Sequence, residues 1–112
     1  MAASLAKLGA VPAPMVLAAS IAFEIVATTC MKFAANGSRL WYLGVGLGYA
    51  LCFSIFPIAL RTIPLSIAYA TWSGVGTAAS VALGALLFAE KLTPLKVLWI
   101  SLIILGVVGL NL

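Results

Sequence analysis

From Met15 to Leu112 the chain reads as four long apolar runs broken by short polar stretches. The runs cover about Met15–Met31, Leu40–Leu60, about Leu65–Ala89 and about Leu95–Leu112. Each is continuously apolar, without the alternation of a barrel strand, so helices are the spanning element expected. A helix crossing a hydrocarbon layer of roughly 30 Å needs about 20 residues, with a range of about 17–25. The second and third runs meet this directly, while the first and fourth are short and draw on flanking residues. The pattern predicts an all-α membrane protein with four transmembrane helices in one domain over residues 15–112. Short connections set consecutive helices antiparallel.

The connections carry matching turn chemistry. Asn36-Gly37 is a strong turn signal, and Arg39 and Trp41 follow it where a membrane interface belongs. Pro64 stands near the start of the third helix, and Thr93-Pro94 resembles an N-cap and first helical position for the fourth. Residues 1–14 are expected to form a poorly ordered leader, since Pro12 and Pro14 discourage helix ahead of Met15. Signal-peptide cleavage near Ala18-Ala19-Ser20 would leave the first helix too short to span, so the run is kept whole. Within the runs, Gly44 and Gly48, and then Gly76, Ser80 and Gly84, recur at i+4 and form small-residue faces for close helix contact.

Composition agrees with lipid as the solvent. Of 112 residues, 65% are hydrophobic and 7% charged, more apolar surface than a soluble domain of this size can hide. The charged side chains are Lys7, Glu24, Lys32, Arg39, Arg61, Glu90, Lys91 and Lys96, and all but Glu24 lie between the runs or near the N-terminus. The net charge of +4 is scattered and leaves no nucleic-acid footprint. Lys32, Arg39, Lys91 and Lys96 belong to one membrane face, Lys7 and Arg61 to the other. That is a weak positive-inside bias, compatible with insertion in either orientation. Cys30 and Cys52 read as small apolar fillers rather than a disulfide. There is no histidine, and no phosphate-binding loop, metal cluster or nucleophilic triad is visible. The chain is therefore not expected to be an enzyme, and neither cofactor nor metal is expected.

Glu24 is the position that invites chemistry. An acidic residue at the centre of a membrane helix costs on the order of 3 kcal/mol, and such residues mark functional sites. Ser20, Glu24 and Thr28 follow at i, i+4 and i+8 with Ala27 beside them, so a small, polar face surrounds the carboxyl group. Desolvation penalises the bare anion, so the group is expected to pair with either a proton or an organic cation. Glutamine has no charge to exchange, and lysine could not offer the competition. The structural alternative is a glutamate bonded to a neighbouring helix.

Aromatic residues supply a second constellation. Tyr69, Trp72, Ser73 and Gly76 share one face of the third helix, and Tyr49, Phe53 and Phe56 group on the second. Aromatic faces attract cations by roughly 2 kcal/mol when desolvated. With a carboxylate nearby, a cation-binding box is favoured over plain packing. The stretch Ser73–Gly76 places two glycines inside a helix, readable as a hinge or as close packing.

These residues resemble a known family. "FEIVATTCMKF", "NGSRLW", "IPLSIAYATWSGVG" and "GVVGLNL" together look like the small multidrug resistance family, over about Met15 to Leu112. The resemblance implies four short helices per chain and an antiparallel, dual-topology homodimer in a bacterial-type inner membrane. It implies that Glu24 binds protons and cationic substrate in competition. Tyr49, Tyr69, Trp72 and Ser73 match substrate-lining positions, with Thr28 and Ala27 as site-facing neighbours on the first helix. Gly74 and Gly76 match a conformational hinge. Gly106 matches one of two dimer-contact glycines in the fourth helix; Trp99 stands at the other, and Gly109 is the candidate substitute. Pairing with an unlike subunit therefore stays open. Ala27, Ser73 and Tyr49 resemble the branch that exports quaternary ammonium and other lipophilic cations by proton antiport. Export of guanidinium, polyamine or other small-metabolite cations is the alternative. A non-transporting membrane subunit and a passive cation pore are the rivals from other classes.

Overall fold

The computed structural model describes residues 11–112. Four helices follow one another: α1 (Ala13–Ala35), α2 (Trp41–Ala59), α3 (Leu65–Leu87) and α4 (Pro94–Asn111). All four are long and apolar enough to cross a membrane. At about 1.5 Å per residue, α1 and α3 reach roughly 34 Å and the other two roughly 27–29 Å, enough for a hydrocarbon layer.

The helix ends show why the runs stop where they do. α1 begins at Ala13, ahead of the expected Met15, because Pro14 occupies the first turn, where a missing N–H has no helical partner to lose. The expectation of a poorly ordered leader otherwise falls on residues 1–10, outside the described residues. At the other end α1 runs on to Ala35 and stops before Asn36-Gly37, where Gly37 takes φ 126°. Only glycine adopts that value without strain. α4 starts as its sequence suggests: the Thr93 hydroxyl accepts the backbone N–H of Lys96 at 3.1 Å, with Pro94 at the first helical position.

Packing is tightest between α1 and α2. A Cβ on Gly48 would lie 2.8 Å from Ala27 Cβ and 3.1 Å from the Phe23 carbonyl oxygen, and one on Gly44 would lie 2.7 Å from Cys30 Sγ. Ser20, fully buried, continues the seam by donating to the Cys52 carbonyl at 3.3 Å. In lipid, where apolar burial offers little drive, close approach over small residues and interhelical hydrogen bonds hold helices together. Val16, Leu17 and Ile21 of α1 then meet Ile55, Phe56, Ile58 and Ala59 of α2, and Ala68 of α3, in the apolar core. Cys30 and Cys52 are buried and unbridged.

α3 packs on α1, and α4 leans on α3. Gly74 admits Val107 there, whose Cγ2 would sit 2.5 Å from a Cβ at that glycine. Near the end of α4, Asn111 Nδ2 donates to Thr71 Oγ1 at 3.0 Å. No residue of α4 is buried. The Cα trace measures 41 × 39 × 16 Å, so the chain is a slab about two helices deep.

Candidate functional site

α1 carries Glu24 against the middle of α3. One carboxylate oxygen, Oε1, accepts the Thr28 hydroxyl at 2.7 Å, one turn further along the same helix. Tyr49 of α2 lies 3.3 Å from that hydroxyl. Since Thr28 gives its single proton to Glu24, the phenol is the donor in this second bond. The result is a relay from Tyr49 through Thr28 to Glu24 that joins two helices.

The other oxygen, Oε2, is buried and has no hydrogen-bond partner. It faces the α3 backbone at Gly76, where a Cβ would stand 2.8 Å away. Gly76 therefore gives the carboxylate its seat. One turn before it on the same face of α3 lies Trp72, whose indole Nε1–H is likewise buried without a partner. A buried acceptor and a buried donor, each lacking a bond, each call for a partner.

The rings gather around Trp72. Its centroid is 6.0 Å from Phe53, 5.7 Å from Phe56 and 5.9 Å from Tyr69, while Phe53 stacks on Tyr49 at 5.8 Å. The aromatic faces of α2 and α3 thus form one cluster, with Tyr49 belonging to both the cluster and the relay. Tyr69 is exposed and Trp72 half-buried.

Other expected site residues lie elsewhere. Ala27 is fully buried against Gly48 in the α1–α2 seam. Ser20, which shares a helical face with Glu24 by spacing, turns into that same seam. The Ser73 hydroxyl donates to the Tyr69 carbonyl at 2.8 Å and borders the groove between α3 and α4. α3 runs unbroken through Gly74 and Gly76. Gly74 contacts α4, and Gly106 and Gly109 have open space where a Cβ would go. No group of three metal-ligating side chains forms among the described residues.

A residue treated in the sequence as a loop charge also reaches this region. Glu90 follows α3, yet its N–H donates back to the Gly84 carbonyl at 3.0 Å and its carboxylate rests against Gly84. The reversal depends on Ala89 at φ 53°, which no spacing in the sequence signals.

Four spanning helices with an acidic, aromatic-lined site between them define a small multi-pass integral membrane protein. The Small Multidrug Resistance protein model matches residues 14–103, and the chain belongs to that family. It is 42% identical over 96 residues to the multidrug resistance protein EbrB of Bacillus subtilis, covering 85% of this chain and 82% of the relative. It is 36% identical over 93 residues to the quaternary ammonium compound-resistance protein QacG of a Staphylococcus species, covering 82% and 87%. The multidrug resistance protein Mmr of Mycobacterium tuberculosis matches at 36% over 98 residues, covering 86% and 92%. These bacterial relatives place the chain among proteins of bacterial membranes.

Proposed function

We propose that this protein is a proton-coupled antiporter that exports lipophilic or quaternary ammonium cations. The observation that carries the reading is the Glu24 carboxylate, held at one oxygen by Thr28 and buried without a partner at the other. A proton on Oε2 or an organic cation beside it would each satisfy the anion, and the two exclude one another. Trp72, Tyr69 and Tyr49 offer ring faces to a cation too bulky or too alkylated to donate hydrogen bonds. The relatives' names, with multidrug and quaternary ammonium resistance among them, favour the same cargo.

In this mechanism cation from the cytoplasm or inner leaflet pairs with Glu24 and stacks on the rings. Access then switches to the other side, and protons displace the cargo there. With no residue of α4 buried, one chain supplies only part of the wall of a passage, which supports a dimer of two oppositely inserted chains with a Glu24 from each. Gly74 and Gly76 are the proposed hinge of the switch. Gly106 and Gly109, on the uncovered α4, are proposed at the contact between copies. Trp99 is 56% exposed on the same helix, and this bulk keeps pairing with an unlike subunit as the second reading.

The test is tetraphenylphosphonium binding to the purified protein across pH, together with uptake into proteoliposomes driven only by a pH gradient. The parent should bind more tightly as pH rises, release protons on binding, and accumulate cation uphill. Glu24→Gln should lose all three. Binding without pH dependence in the parent would refute the exchange mechanism, and downhill movement alone would indicate a pore.

A further inference from the structure

A cavity of 180 Å³ opens between α1 and the end of α3, on the side away from the Trp72 rings. Thr28, Thr29 and Lys32 of α1 line it, with Ser80 and Gly84 of α3 and Glu90 beyond. Water needs about 10–15 Å³ of such space per molecule and two to four polar partners. The cavity has room for several waters, and its walls carry three hydroxyl groups and two charged side chains.

Thr28, whose hydroxyl holds Glu24, is one of the residues lining the cavity. Thr28 Oγ1 donates to Glu24 Oε1 and accepts from Tyr49. A hydroxyl oxygen has two lone pairs, so one remains for a further donor, such as a water in the cavity. Thr28 is thus both the wall between cavity and carboxyl group and a means of passing a proton through it.

The small-residue face of α3 acquires a new meaning here. Gly76, Ser80 and Gly84 follow at i, i+4 and i+8, and a carboxylate rests against each glycine: Glu24 on Gly76, Glu90 on Gly84. Eight residues at about 1.5 Å place the two seats roughly 12 Å apart. Ser80 stands midway, in the cavity wall.

Glu90 sits where a helix end disfavours it. The C-terminus of α3 carries the negative pole of the helix dipole, and Ala89 takes a left-handed conformation that strains a non-glycine residue. Both costs place an exposed carboxylate at the cavity mouth. The charged neighbours there are Lys32 from α1 and Lys91 next in sequence; Lys96 of α4 is turned to the Lys91 carbonyl at 3.0 Å. Tyr49, from α2, is the titratable group facing Glu24 through Thr28.

We propose that this cavity is a hydrated proton path to Glu24, with Glu90 as its collecting group, Ser80 as a positioning residue and Thr28 as the last relay. Glu90 takes a proton from bulk water and passes it to the water chain. The last water protonates Thr28 Oγ1 as the original Thr28 proton moves to Glu24 Oε1. Thr28 ends neutral, Glu90 returns to its starting state, and the one proton Glu24 gains is the one given up by bulk water. The proton thereby reaches Glu24 by a route the cation does not occupy, so it can arrive while cargo still covers the rings.

The inference rests on the antiport reading, and one experiment separates the two. Uptake of tetraphenylphosphonium driven by a pH gradient is measured in weakly buffered proteoliposomes for the parent, Glu90→Gln, Glu90→Asp, Ser80→Val and Glu24→Gln, with equilibrium affinity measured alongside. Glu90→Gln should slow uptake on the order of tenfold and leave affinity and its pH dependence at parental values. Glu90→Asp, or added imidazole as a mobile proton carrier, should restore the rate. Ser80→Val should slow uptake in the same way. Parental rates in both Glu90→Gln and Ser80→Val, or a deficit that imidazole and Glu90→Asp leave unchanged, would overturn the path. Retention of pH-dependent binding by Glu24→Gln would instead overturn the antiport reading.

Discussion

Gly76→Ala separates two roles for one residue. The added Cβ would stand 2.8 Å from Glu24 Oε2, about 0.6 Å inside ordinary van der Waals contact. Helix backbone lies behind the methyl group and cannot yield, so the glutamate side chain must rotate. Turning a side chain about 30° off its rotamer costs of order 0.5–1.5 kcal/mol. Displacement also strains the 2.7 Å bond from Thr28. If Glu24 is the cation's partner, that energy appears as weaker binding, roughly twofold to tenfold in Kd. Glu24→Asp added to Gly76→Ala should recover part of the loss, because the shorter arm withdraws the carboxylate from the methyl group. Equilibrium titration with tetraphenylphosphonium is the assay. Unchanged affinity accompanied by slower transport would refute the seat and make Gly76 a hinge only.

Three further substitutions probe the frame around the site. Gly48→Ala drives a methyl into Ala27 and the Phe23 carbonyl; it should destabilise the protein in detergent by about 1–3 kcal/mol, and an unchanged melting temperature would count against the seam. Thr28→Val removes a hydroxyl bonded to a charged group, an interaction of about 1.5–3 kcal/mol; cation binding should weaken about tenfold or more, and parental affinity would show the relay to be idle. Ala89→Gly relieves the left-handed residue after α3; thermal stability should rise by about 1 kcal/mol, and a fall would mean that the turn needs its side chain.

The spans were legible because a membrane helix must be apolar throughout its length, and the connections because Asn36-Gly37 and Thr93-Pro94 carry local chemistry. Glu24 stood out by its charge alone, and the i, i+3 spacing of Tyr69 and Trp72 placed both on one face. What the sequence concealed was direction. A helix apolar all round has no dry side to contrast with a wet one, so nothing in the spacing says which stripe meets α2. Ser20 and Ala27 look like neighbours of Glu24 along α1, yet both turn into the seam with Gly48 and Cys52. Ser73 similarly turns to its own backbone beside α4. Glu90 was hidden for a different reason: its position depends on a backbone reversal at Ala89, a residue with no marked preference for one.

The Gly44–Gly48 seam also has a bearing on how this chain can vary over generations. Along the outer face of α2, one bulky apolar residue can replace another, because lipid accommodates either shape. At Gly48 there is no smaller residue to retreat to and no room for a larger one. Drift should therefore be broad across much of the lipid-facing surface and nearly arrested at Gly48 and Ala27, which pack directly on one another.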